Sequence, residues 1–339
     1  MSMPQLRLAA APPHGLSPAG LTIGDMRGYG RVSADAALVS LALWRAAGCL
    51  RTSSPERPLL SLQLDGDVQW VSAYVPGTNV LETVGHAQGA ELRVVDFMAV
   101  AEGRPGQAEA VPAGRFVRIV TCTEGEASFR LECATPAMPG GTHDALAPGA
   151  WYFACSRPMG TGSEAGIAHV RLKAGQSVSF MIGDAPLQGG PALAANALHA
   201  LGETIHYWTW WSDRCRYKSE DFDARLREAL TLKLAFGAGS LYAAEPGVAG
   251  FAHASLGEAT RAAEAFLALG YRNECASLLA QVYEEGREGA SRGRWSFDEP
   301  FLQTLDAYVL RYGTLGLADD LRRAAEAQDP VLQCTKRMA

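Results

Sequence analysis

The apolar positions change their period once along the chain. Residues 59–64, 68–74, 91–97, 115–121, 127–133, 168–172 and 177–182 form short alternating or β-branched runs. Alternation sends successive side chains to opposite faces of a strand, so each run predicts a β-strand. Asp65-Gly66, Pro76-Gly77, Pro139-Gly140-Gly141 and Ala174-Gly175 lie between them as turn signals. Many strands joined by short turns, with no helix among them, predict an antiparallel sandwich.

The texture shifts near Pro191. Residues 192–217 predict a helix with an aromatic end, Tyr207, Trp208, Trp210 and Trp211. Further helical stretches follow at 219–236, 255–269, 272–285, 300–312 and 318–328. Gly270, Gly286, Gly313 and Gly316 are placed at or just past helix ends, where a left-handed residue closes the last turn. Pro300 stands at the start of its helix, where its missing N–H removes no bond. The expected organisation is a loose tail at 1–20, a β-sandwich at 21–190, a linker helix at 191–218 and a helical domain at 219–339.

Composition narrows this picture. A length of 339 residues suits two domains. The net charge of −6 argues against non-specific nucleic-acid binding, which needs a basic surface to displace counterions. No apolar run approaches the ~18 residues that a membrane helix requires. Pro12, Pro13 and His14 interrupt the short apolar patch of the N-terminus, so the expectation is a cytoplasmic protein without a secretory leader. The seven cysteines are scattered without a CxxC pair, and the histidines form no HxH or HExxH cluster. Buried reduced thiols are expected, with no metal and no cofactor.

Several strings, in order, resemble the bacterial glucoamylase/trehalase-like proteins of glycoside hydrolase family 15. Tyr74-Val-Pro-Gly-Thr-Asn-Val-Leu-Glu-Thr83 and Glu91-Leu-Arg-Val-Val-Asp-Phe-Met98 are similar to two strand motifs of that family. Leu21-Thr-Ile-Gly-Asp25 with Arg31-Val-Ser33 resembles its opening hairpin, and Phe116-Val-Arg-Ile-Val120 a later strand. The segment from Tyr207-Trp208 through Trp211 to Arg214-Cys-Arg-Tyr217 resembles its linker, and Leu226-Arg-Glu-Ala-Leu-Thr-Leu-Lys-Leu234 the first helix of its helical barrel. The resemblance implies an α+β multidomain fold: an N-terminal antiparallel β-super-sandwich, a linker helix, and here a shortened, partial α/α toroid. The stretch 219–339 is too short to close a full ring of helical hairpins.

The family's chemistry is inverting hydrolysis of α-glucosides, which needs one carboxylic acid to protonate the leaving oxygen and one carboxylate to activate water. The resemblance fails at those residues. Where the family grips the terminal sugar with an Arg-Asp pair, this chain has Gly257-Glu258. Where the family places its acid after a tryptophan, Trp295 is followed by Ser296. The candidate carboxylates are therefore Glu245, Glu258, Asp298 and Glu299. Asp298 and Glu299 have a simpler role open to them, as negative charge at the start of a helix. Trp208, Trp211, Tyr242, His253 and Trp295 are the candidate saccharide contacts, although the Trp208–Trp211 cluster also suits packing. His206 and His253 are candidate bases or packing residues.

Three readings follow. The leading one is a carbohydrate-associated protein, its standard acid/base pair lost, that binds a saccharide or sugar-bearing partner in a cleft between the two domains. The second is an active α-glycosidase or related enzyme with a rebuilt carboxylate site. The third is a scaffold whose uncovered helical faces pair two chains as a C2 dimer.

Overall fold

The computed structural model describes residues 21–45, 48–53, 58–64, 66–87, 89–103, 110–133, 152–158, 167–185, 187, 189–236, 242–244, 251–291, 299–313 and 316. The expected tail at 1–20 and helix at 318–328 lie outside them. Two compact units account for the chain: 1–213 with 245–251, and 214–244 with 252–339.

The first unit is a curled antiparallel sheet. Its strands are β1 (Leu21–Gly24), β2 (Gly28–Val32), β3 (Leu38–Arg45), β4 (Gly48–Ser53), β5 (Leu60–Leu64), β6 (Gln69–Tyr74), β7 (Leu81–Ala87), β8 (Ala90–Glu102), β9 (Ala110–Cys133), β10 (Tyr152–Cys155), β11 (Ile167–Lys173) and β12 (Ser177–Gly183). The hydrogen-bonded path runs β1-β2-β3-β5-β9-β8-β7-β6, with β4 on β3, β11 and β12 on β9, and β10 on β12.

The runs 115–121 and 127–133, expected as two strands, are one strand. The N-terminal part of β9 pairs with β12 and its C-terminal part with β11 and β5. The two halves of the sheet therefore meet in β9. Gly125 sits at the junction with φ of 69°, and a Cβ there would lie 1.9 Å from the Gly89 carbonyl oxygen. Only glycine meets both demands.

The two halves enclose a shared core. Ile23, Leu41 and Leu62 from one half pack with Val94, Phe116, Val120 and Phe180 from the other. Strand β11 shows what one covered face produces: Ala168, Val170 and Leu172 are buried while the residues between them are not. Strands β8 and β12 are buried nearly throughout. Their second face is covered by α1 (Pro191–Ser212), whose stripe Leu193, Ala197 and Leu201 packs on Val95, Phe97, Val117, Ile119 and Met181. Double coverage is why these strands are continuously apolar instead of alternating.

The expected helix at 192–217 ends at Ser212, and it belongs to the β unit. Hydrogen bonds tie it there. Val100 N–H donates to Thr204 Oγ1 (3.2 Å), Tyr207 Oη to Met26 Sδ (3.5 Å), and Ser212 Oγ to the Gly77 carbonyl (2.6 Å).

The second unit holds α2 (Phe222–Phe236), α3 (Leu256–Leu269), α4 (Arg272–Ser291) and α5 (Glu299–Tyr312), with β13 (Tyr242–Ala244) and residues 252 and 253 of β14 (Phe251–His253); β13 and β14 form a two-stranded ribbon. Helix α3 packs against α2, α4 and α5. Its buried stripe Ala259, Ala262, Ala263, Phe266 and Leu267 supplies the small residues that let neighbours approach. Gly270 ends α3 in the left-handed conformation, as expected. Gly286 does not end α4, which runs on to Ser291. A single glycine costs a helix about 1 kcal/mol, and tertiary packing outweighs that.

Candidate functional site

The carboxylates singled out from the sequence have identifiable partners where they are described. Ser255 caps the N-terminus of α3, and Glu258 stands three residues on. The Glu258 backbone N–H donates to Ser255 Oγ (3.2 Å), while Glu258 Oε2 accepts from the Ser255 backbone N–H (2.8 Å) and from its Oγ (2.7 Å). This is a capping box, which satisfies N–H groups that a helix start leaves unpaired. Hydrogen bonds from the Ser255 side chain and backbone hold the Glu258 carboxyl below its usual range. A general acid needs the opposite shift, so this carboxylate suits capping and not proton donation.

Glu299 opens α5, exposed, and accepts from Gln303 Nε2 at 2.7 Å. Negative charge there meets the positive end of the helix. Glu245, Trp295 and Asp298 lie outside the described residues. Tyr242 and His253 stand on the paired strands β13 and β14, and β14 leads through Ala254 and Ser255 into α3. The ribbon thus brings Tyr242, His253 and Glu258 into one local stretch of the helical unit.

Trp208 and Trp211 are fully buried. Trp208 meets Tyr207 and Trp211 edge-on, at ring-centroid distances of 5.0 and 6.1 Å. Buried aromatic rings in such contact serve packing, because a sugar platform needs an open face. His206, on the same helix, points to solvent with Nε2 3.4 Å from Glu102 Oε2. The expectation of a packing histidine does not hold at that position. Its place on the solvent side of the stripe Leu193-Ala197-Leu201-Thr204 explains this.

The structure also gathers buried ionisable groups that the sequence reading passed over. In the β unit, Arg118 donates Nε and Nη2 to the two Asp96 carboxyl oxygens, both at 2.7 Å and wholly buried. The pair sits face to face across β8 and β9, on the side that faces the enclosed core. Burial raises the Asp96 carboxyl, and the Arg118 charge opposes that. Asp25 is also wholly buried, and accepts from the backbone N–H of Arg27 (3.1 Å) and of Gly114 (3.2 Å). Loss of solvent pushes its carboxyl up to about 7 against those bonds.

In the helical unit, Glu274 of α4 takes Lys233 Nζ of α2 at 3.1 Å on one oxygen and Arg214 Nη2 at 3.1 Å on the other. Burial lowers the Lys233 ammonium, and Glu274 counters it. Beside this cluster, burial pushes the Cys275 thiol up to about 12 and raises the Tyr271 hydroxyl. The signal in the sequence was a lysine on the apolar stripe Leu226, Ala229, Leu230 and Leu234. Tyr74, which opens the strand motif quoted above, donates its hydroxyl to the Thr22 carbonyl (2.7 Å) and accepts from the Thr22 N–H (2.9 Å). It thereby joins β6 to β1, the two ends of the hydrogen-bonded path.

Among the described residues no three His, Cys, Asp or Glu gather as metal ligands. Among the described residues, cysteines 122, 155, 215 and 275 are free thiols. Among the described residues no helix is long and apolar enough to cross a membrane.

No family profile matches the chain, and no curated protein matches it in sequence. One solved structure with a related course of the backbone is a putative kojibiose phosphorylase from the human microbiome, with 8% identity and a TM-score of 0.45. The match covers 84% of this chain and 48% of that one, so the chain spans about half the length of that protein. At this level of likeness no activity is carried over.

Proposed function

We propose that this chain is a carbohydrate-associated relative of the glucoamylase/trehalase-like hydrolases, which binds a saccharide or sugar-bearing partner without the standard inverting acid/base pair. The observation that carries the reading is Glu258. It occupies the place of the family's sugar-gripping Arg-Asp pair, and its carboxylate is taken up by the Ser255 cap. Glu299 likewise serves the start of a helix.

Support for the shared scaffold comes from what the resembling strings do. Tyr74 joins the two ends of the sheet path, Asp96 and Arg118 pair within the enclosed core, and Arg214 and Lys233 meet on Glu274. Residues with such long-range duties are the ones a scaffold keeps when its chemistry changes. In the helical unit, Tyr242 and His253 on the ribbon are the proposed saccharide contacts.

Isothermal titration of the full chain against a panel of α-glucosides, trehalose and nucleotide sugars tests this. Binding of at least one panel member is expected, weakened about tenfold by Tyr242→Ala or His253→Ala, the loss of roughly one charge-free hydrogen bond and its packing. No reducing sugar should be released over hours. Absence of binding to every member would end the saccharide reading. Turnover would instead favour a rebuilt site, for which two carboxyl groups about 6.5–9.5 Å apart are required.

A further inference from the structure

The helical unit carries an arginine patch that neither the saccharide reading nor the family resemblance uses. Arg272 opens α4 and Arg311 lies in the last turn of α5, both exposed. Their guanidinium carbons stand 5.7 and 5.4 Å from the centre of one ring, that of Tyr312. Arg216, also exposed, runs its stem across Gly270 in the turn between α3 and α4. A Cβ at Gly270 would meet Arg216 Cβ at 2.8 Å, so the glycine lets the stem lie there.

Like charges sharing one ring repel, and a stacking contact at an exposed site offsets this by only about 0.5–1 kcal/mol. A carboxylate would be the ordinary remedy. Among the described residues none lies within ion-pair distance of Arg216, Arg272 or Arg311, although the chain as a whole carries a net charge of −6. Arg272 also sits at the positive end of a helix, where a cation is disfavoured.

Each guanidinium is nonetheless held in place by one bond. Arg272 Nε donates to Tyr308 Oη (3.2 Å), and Arg311 Nη1 donates to the Leu267 carbonyl (2.6 Å). That leaves both nitrogens of the Arg272 fork, and Nη2 and Nε of Arg311, able to donate elsewhere. Tyr312 Oη, covered by protein, has no hydrogen-bond partner among the described residues.

We propose that Arg272 and Arg311, with Arg216 beside them, bind a phosphate group carried by a small molecule. Two positioned guanidinium forks match a tetrahedral oxyanion, which offers several acceptors and enough negative charge to relieve their repulsion. A single carboxylate has neither the charge nor the oxygens to serve both forks.

The test uses the full chain with inorganic phosphate as probe, at ionic strength held constant with sodium chloride, read by titration calorimetry and thermal unfolding. Phosphate is expected to bind and to raise the melting temperature in a saturable manner. Arg272→Gln and Arg311→Gln should each weaken binding about tenfold or more, the effect of losing one charge-assisted contact. Arg225→Gln should leave it unchanged, because Arg225 already pairs with Asp221 and Glu228. Arg311→Gln also loses the bond to Leu267, so Arg272→Gln and Arg216→Gln keep the test open if that variant misfolds. Three results would overturn the proposal: no phosphate-specific response, an equal response in Arg272→Gln, or tighter binding of malonate, which would make this a carboxylate site. Since the probe carries no sugar, failure here leaves the saccharide reading untouched.

Discussion

Asp25 shows how much a single side chain can couple to pH. Its carboxylate has no solvent contact, and backbone N–H groups of Arg27, Gly28 and Gly114 only partly replace water. With the folded value near 7 and the ordinary value at 3.8, the unfolded chain releases this proton first as pH rises. The contribution of this group therefore favours folding at low pH, declines between about pH 4 and 7, and is level above. Asp25→Asn removes the titration. Urea unfolding should show the variant losing ground to the wild type at pH 4 and regaining it by pH 7, by an amount on the order of a few kcal/mol. A constant difference across that range would refute the assignment.

At the scale of elements, helix starts absorb Glu258 and Glu299, two of the carboxylates that the family resemblance would have turned toward chemistry. The box at Ser255 and Glu258 makes a clear prediction. Ser255→Ala should cost about 1 kcal/mol and loosen the first turn of α3, whereas Glu258→Gln keeps the reciprocal bond and should cost less than about 0.5 kcal/mol. Denaturant midpoints for the two variants measure this. Serine followed three residues later by glutamate was visible in the sequence. Its meaning was ambiguous there, because spacing alone does not say where an exposed carboxylate turns. The strands were legible in the same partial way. Ala168, Val170 and Leu172 alternate and mark a half-covered strand, but the continuous run of β8 becomes intelligible only once α1 lies on its outer face.

For the molecule as a whole, the two cores of the β unit draw, among the described residues, on none beyond α1, whose Leu193, Ala197, Leu201 and Ile205 join one of them. Helix α1 completes that unit and is more than a connector, since its stripe covers β8 and β12. A fragment ending at Asp213 should therefore fold alone, with cooperative thermal unfolding and dispersed amide NMR signals. A fragment ending at Gly190, without α1, should expose Val95, Phe97, Val117, Ile119 and Met181 and aggregate. Equal solubility and cooperativity of the two fragments would contradict this division.

The sequence by itself determined the order of β-rich and helical halves, the positions of β5, β6, β8, β11 and β12, and the helix starts and ends marked by Ser255, Pro300, Gly270 and Gly313. These depend on local period and backbone preference, which neighbouring residues carry. The tertiary structure alone decided that β9 is one strand serving both halves of the sheet, and that Tyr74 closes the path onto Thr22. It also decided that Asp96 meets Arg118, that Glu274 meets Lys233 and Arg214, and that Arg272 and Arg311 both approach the Tyr312 ring. Those partners lie 22 to 60 residues apart where hydrogen-bonded. No local pattern records such pairings, because burial and charge compensation are settled only when distant elements pack.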